Sequence, residues 1–168
     1  FLASLRAAGH DPAGGTCLVL GAGGAAGAVI HALAEAGASR VGVLARRPEA
    51  AALVAALAGR AGAIACLADV AGADIVVNAT SVGMRGTSAE DAIPFGIDPA
   101  HLHPGQVVTD LVYHPLRTPL LVAAEAAGAT PVDGLGMLVH QAALAFELWT
   151  GIGAPLGVMA AAVRISLA

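Results

Sequence analysis

Cys17-Leu-Val-Leu-Gly21-Ala-Gly23-Gly24-Ala-Ala26 runs from a short apolar segment through a cluster of glycines into a helix-forming stretch. Strand, glycine turn and helix, in that order, make the layout of a dinucleotide pyrophosphate site. Gly21 permits the tight turn, Gly23 lets the backbone approach the phosphates, and the small Ala26 lets helix and strand pack closely. The anion then lies on free N–H groups at the helix N-terminus, where the macrodipole also favours it. For the glycines taken alone, a tight turn without a ligand is the competing reading.

Outward from this stretch, short runs rich in Val, Leu and Ile alternate with longer alanine-rich runs, which is the period of βαβ units. Strands are expected near Cys17 to Leu20, Val41 to Leu44, Ala63 to Leu67, Ile75 to Asn78, Val107 to Leu111 and Thr130 to Val132. Helices are expected near Ala25 to Ala36, Pro48 to Leu57, Thr118 to Ala127, Leu135 to Thr150 and Pro155 to Leu167. Continuous apolar strands imply a mostly parallel sheet covered on both faces, an α/β doubly wound, Rossmann-type fold with C-terminal helices and ligands at the carboxyl ends of the strands. The longest loop, Ser81 to Gly105, reads as a lid or connection. Phe1 to about Gly9 looks like the end of a helix closed by glycine, expected to come from a preceding domain, and residues 1–168 otherwise form one dinucleotide-binding domain.

Composition narrows the function classes. A net charge of -4 with 12% charged residues provides no basic stripe for nucleic acid, and 3% aromatic residues leave few stacking platforms. Mean hydropathy is +0.78, and Cys17 to Ala34 carries no formal charge. Gly21, Gly23, Gly24 and Gly27 nevertheless suit a strand, a turn and a helix start better than a membrane span. Cys17 and Cys66 lie far apart without metal-ligand spacing, as expected of reduced thiols in the cytoplasm. His101-Leu-His103 lacks a nearby third ligand, so no metal is expected.

The second strand bears on cofactor choice, since an enzyme using NAD usually ends it with Asp or Glu. Here the chain reads Val43-Leu-Ala45-Arg46-Arg47-Pro48, with two guanidinium groups able to pair with a 2′-phosphate. NADP is therefore expected, with Arg46 stacking on the adenine and gripping the phosphate; two solvated arginines before a helix are the alternative. Asn78 and Thr80 end the fourth strand where a nicotinamide would lie, or simply form an Asx or Ser/Thr turn. Tyr113 suits a polyhydroxylated ring at a cleft, or is an ordinary half-buried tyrosine. Met137 and Gln141, at i and i+4, share one helix face and are otherwise a core filler and a surface residue.

Four blocks resemble the cofactor-binding half of the shikimate dehydrogenases: Gly21-Ala-Gly-Gly-Ala-Ala26; Val77-Asn-Ala-Thr80-Ser-Val-Gly83-Met84; Asp110-Leu-Val-Tyr113-His-Pro115 with Thr118-Pro-Leu120; and Asp133-Gly134-Leu-Gly-Met137-Leu-Val-His-Gln141, closing with Phe146-Glu-Leu-Trp149-Thr-Gly151. They occur in the family's order and span nearly the whole chain. The resemblance implies NADP-dependent, reversible reduction of 3-dehydroshikimate to shikimate. It implies Gly21, Ala22, Gly23, Gly24 and Ala25 on the pyrophosphate, and Ala45, Arg46 and Arg47 near the 2′-phosphate. Thr80, Leu111, Gly134 and Met137 would surround the nicotinamide end, with Tyr113 and Gln141 against shikimate.

Ala45-Arg46-Arg47 departs from the family's common Asn-Arg-Thr, removing an amide and a hydroxyl, so the clamp relies more on charge. Asp110 invites a general-base role, yet in the family the acid-base lysine and its partner aspartate belong to a separate domain that precedes this one. No catalytic residue is accordingly expected here, and the isolated chain is expected to be inactive. A homodimer is compatible with this reading. A quinate/shikimate dehydrogenase preferring NAD, or a non-catalytic nucleotide-binding module, are the alternatives.

Overall fold

The computed structural model describes residues 1–167. Six strands, β1 (Thr16–Leu20), β2 (Arg40–Leu44), β3 (Gly62–Ile64), β4 (Ile75–Asn78), β5 (Val107–Asp110) and β6 (Thr130–Val132), form one sheet in the order β3-β2-β1-β4-β5-β6. Every neighbouring pair is parallel. The winding reverses between β1 and β4, where the connections leave in opposite directions and open a crevice at the carboxyl ends.

Successive residues of each central strand point to opposite faces, and both faces are buried. Cys17, Val19, Val41, Val43, Ile75 and Val77 meet helices α2 (Gly24–Glu35) and α3 (Pro48–Ala55) on one side. Leu18, Leu20, Val76 and Val108 meet α4 (Pro119–Ala126) and the segment Val70–Ala73 on the other. This two-sided burial is why the strands read as continuous apolar runs. Helix α2 turns Ala26, Val29, Ile30 and Leu33 inward at helical spacing, leaving its other side to solvent. The chain begins with α1 (Leu2–Ala7) and ends with α5 (Leu135–Thr150) and α6 (Leu156–Leu167).

Most elements fall within a residue or so of the boundaries expected above, and three of the shifts have a visible local cause. β3 is an edge strand that pairs only with β2 and stops at Ile64, because the Asp69 carboxylate accepts the Cys66 N–H at 2.8 Å and starts a 3-10 turn over Leu67–Gly72. β5 ends at Asp110, not Leu111, since the Asp110 Oδ1 accepts the Val112 N–H at 2.9 Å and bends the chain. Helix α3 ends at Ala55 and continues as a 3-10 segment kinked at Gly59. The Ser81–Gly105 connection is packed on the second face through buried Pro94, Ile97 and Leu102 and carries two 3-10 turns. No helix among the described residues is long and apolar enough to cross a membrane.

Candidate functional site

An open cleft of about 600 Å³ lies at the carboxyl ends of β2, β1 and β4, lined by Gly21, Ala22, Gly23, Ala45, Arg46, Arg47, Ala50, Ala79, Thr80, Ser81 and Phe95. Gly21 has φ 109°, and a Cβ there would stand 3.1 Å from both the Ala79 carbonyl oxygen and Thr80 Cγ2. Only glycine allows β1 to turn that close to the loop after β4. Gly23 caps α2 in extended conformation without a side-chain hydrogen bond, and a Cβ on it would meet open space. The first turn of α2 contains no acidic residue. Its N–H groups and positive dipole end are thus open to an anion, with Gly24 and Ala25 exposed on that turn.

Arg46 and Arg47 are exposed at the end of β2, Arg47 as the residue before the helix-starting Pro48. The ion pairs among the described residues are Arg6–Asp11, Arg40–Asp69, Arg85–Glu90 and Arg117–Glu125. Neither Arg46 nor Arg47 takes part in one, and no carboxylate lines the cleft. Two guanidinium groups outside these ion pairs, beside a helix N-terminus, favour an anion at this end of the cleft.

Beyond the cleft the same sheet edge is organised by a buried polar knot. Asn78 is fully buried: its Nδ2 donates to Asp110 Oδ1 at 2.8 Å and to the Val82 carbonyl at 3.1 Å, and its Oδ1 accepts from Thr80 N–H and Oγ1. Asp110 Oδ2 accepts from Thr118 Oγ1 at 2.7 Å. Burial pushes the Asp110 carboxyl up to about 6, against the opposing pull of its three hydrogen bonds. The structure thus places Asn78 inside the protein rather than on the cleft wall, as the turn-former that the residue type also allowed. Thr80 lines the cleft while its hydroxyl serves the same turn, accepting the Val82 N–H at 3.1 Å. Asp110 is closed to any substrate and holds the ends of β4 and β5 together.

Leu111, Gly134, Met137, Tyr113 and Gln141 do not line the cleft; they follow along the edge at β5 and α5. Asn78 pairs with Asp110 and Thr109 with Val132 in register, so Leu111 and the start of α5 adjoin. A Cβ on Gly134 would come 2.6 Å from the Val112 oxygen and 2.7 Å from that of Leu111, which makes this glycine a close-approach residue. Leu111 is half-buried against the first core, Met137 is half-buried, and Tyr113 and Gln141 are exposed. His140 lines a separate groove between α1, α5 and α6. His101 and His103 sit in the β4–β5 connection, and no group of three or more His, Cys, Asp or Glu able to hold a metal occurs among the described residues. Cys17 and Cys66 are free, and burial, with Asp74 adding to it, pushes the Cys17 thiol up to about 12, leaving it unreactive.

Sequence reasoning does not single out Ala50, Ala79, Ser81 or Phe95. Ala79 and Ser81 stand inside the Val77–Met84 block without a role assigned there, and Ala50 lies in the first turn of α3. Phe95 sits in Pro94-Phe95-Gly96, inside the longest loop, where no periodicity marks it.

Sheet order and cleft position define the class: a Rossmann-type α/β domain. Residues 134–164 match the family model described as the shikimate 5′-dehydrogenase C-terminal domain. The NADP(+) shikimate dehydrogenase of Acidiphilium cryptum is 48% identical over 154 residues, covering 90% of this chain and 54% of that protein. Its counterpart in Moorella thermoacetica is 45% identical, covering 98% and 58%. The crystal structure of shikimate 5-dehydrogenase from Thermus thermophilus, in complex with NADP(H) and shikimate, superposes with a TM-score of 0.85 at 39% identity, covering 98% of this chain and 59% of that one. The chain belongs to the shikimate dehydrogenase family as a C-terminal domain, spanning a little over half the length of these relatives.

Proposed function

We propose that the chain is the cofactor-binding domain of an NADP-dependent shikimate dehydrogenase, an enzyme that reversibly reduces 3-dehydroshikimate to shikimate; its relatives are named as NADP(+) shikimate dehydrogenases. One observation carries this reading: the glycine turn, the open N-terminus of α2 and two unpaired arginines share one cleft that contains no carboxylate. These residues fit NADP. The α2 N–H groups suit the pyrophosphate, Gly23 leaves room for it, and Arg46 and Arg47 suit the 2′-phosphate bidentately. An enzyme preferring NAD would place an acid at the end of β2, where Ala45 stands.

Bound in this cleft, NADPH would supply the hydride for the carbonyl carbon. The nicotinamide end would run from Thr80 toward Leu111, Gly134 and Met137, with the ring of the substrate against Tyr113 and Gln141. The developing alkoxide needs a proton; the chain contains no lysine, and Asp110 is buried away from the cleft. We place the acid-base pair in a substrate domain outside these residues, with Phe1 to Gly9 the end of the connecting helix. A cytoplasmic setting accords with the two free cysteines.

Calorimetric titration with NADPH and NADH, repeated on Arg46→Ala, tests the reading. NADPH is expected to bind more tightly, with the preference reduced about tenfold in the variant, since a hydrogen bond to a charged group contributes roughly 1.5–3 kcal/mol. Tighter NADH binding, or an Arg46→Ala variant with undiminished preference, overturns it.

A further inference from the structure

Phe95 is the one large side chain of the cleft to which the foregoing reading gives no part. It comes from the β4–β5 connection and is half-buried, packing partly on the second core while lining the cleft with Gly21, Ala45, Arg46, Arg47 and Thr80. Its backbone stands at φ 56° and ψ 10°, in the left-handed region that bulky residues avoid. It is the sole non-glycine residue with positive φ among those described. Glycine or asparagine would take this turn without the same cost, and a glycine follows at once. The turn is fixed from both flanks, by Gly96 N–H donating to the Ile93 oxygen at 3.1 Å and Ile97 N–H to the Pro94 oxygen at 3.2 Å, with Pro94 and Ile97 buried. A strained position therefore sends a ring into the cleft, in a chain with only three phenylalanines, one tyrosine and one tryptophan.

We infer that Phe95 is the stacking platform for the adenine ring of the dinucleotide, with the Arg46 guanidinium serving the other face of the purine. The inference rests on reading the cleft as an NADP site and adds a positioning residue to it. The cleft that contains Phe95 also contains the arginine end and excludes Leu111, Gly134 and Met137, so the ring stands at the adenosine end. A phenyl ring has no hydrogen-bonding group and offers a nucleobase a flat apolar face, while guanidinium offers a planar cation to the opposite face.

The test is calorimetry on the full 168-residue chain with three ligands: NADPH, adenosine 2′,5′-bisphosphate and reduced nicotinamide mononucleotide. Phe95→Leu keeps apolar packing without the flat ring, and Phe95→Tyr keeps the ring. In Phe95→Leu, NADPH and the bisphosphate are expected to bind about tenfold more weakly, within the range for removal of a stacked aromatic, while the mononucleotide is unaffected. Phe95→Tyr is expected to bind all three as the parent does. Unchanged binding of both adenine ligands to Phe95→Leu, or selective loss of the mononucleotide, overturns the inference. Should Phe95→Leu fail to fold, Phe95→Trp gives the answer by fluorescence: stacked adenine quenches the added indole, and unmoved emission overturns the proposal. If the parent chain binds none of the ligands, the NADP reading falls instead, a distinguishable failure.

Discussion

Asp110 holds a charge where solvent does not reach, and that has a measurable consequence. Burial raises its carboxyl from the ordinary 3.8 to about 6, so the folded protein binds this proton more tightly than the unfolded chain. The resulting stabilisation is fully present below about pH 4 and is lost as pH rises through about 6; ionised Asp110 costs about 3 kcal/mol at neutral pH. Asp110→Asn removes the charge and retains a group of the same shape. Unfolding free energies from urea titrations of both proteins are expected to diverge in favour of the variant between about pH 4 and pH 7, by up to ~3 kcal/mol. A difference independent of pH would rule out the raised carboxyl. The turn at Gly21 is equally constrained. Alanine there would carry a Cβ 3.1 Å from the Ala79 oxygen at φ 109°, so Gly21→Ala is expected to lose about 1–3 kcal/mol by urea titration and to weaken NADPH binding as well.

Among the elements, α5 is held to β5 through Gly134, whose missing Cβ lets the helix start 2.6 Å, by that virtual atom, from the Val112 oxygen. Gly134→Ala must push α5 away from the sheet. A loss of about 1–3 kcal/mol is expected, as for other overpacking, together with increased hydrogen exchange at Leu138, whose N–H donates to the Gly134 oxygen. Exchange unchanged at Leu138 would show that the helix stays in place. This contact also shows what sequence could convey. The strands of the sheet centre were legible because burial on both faces leaves a continuous apolar run, as in Cys17 to Leu20 and Ile75 to Asn78. The glycine turn and the paired arginines were legible because their chemistry is local. The end of β3 was not, since it depends on one hydrogen bond from Cys66 to Asp69, nor was the end of β5, where Asp110, held by Asn78 from 32 residues away, accepts the Val112 N–H. Phe95 was illegible for the same reason: only the folded connection brings it to the cleft.

At the scale of the whole molecule, ligand binding and folding are one equilibrium. NADPH at a hundred times its Kd is expected to stabilise the chain by about 2.7 kcal/mol through mass action, and NADH at the same concentration by less. The gap between the two isolates the 2′-phosphate. Because Ala45 and Arg47 replace the amide and hydroxyl of the family's common pattern, that gap is expected to depend on exposed guanidinium charge, and exposed charge is screened. Raising ionic strength from 0.1 M to 1 M shortens the Debye length from about 10 Å to about 3 Å. Thermal unfolding with each cofactor at both ionic strengths should therefore show the NADPH advantage shrinking with salt. The pyrophosphate contribution common to both ligands would rest, on the proposed reading, on backbone N–H groups at the α2 N-terminus, and it should weaken alike for both. An advantage that keeps its full size in high salt would mean that the 2′-phosphate is held by directed hydrogen bonds in a desolvated pocket, and that Arg46 and Arg47 close over the bound cofactor rather than lying open as they do here.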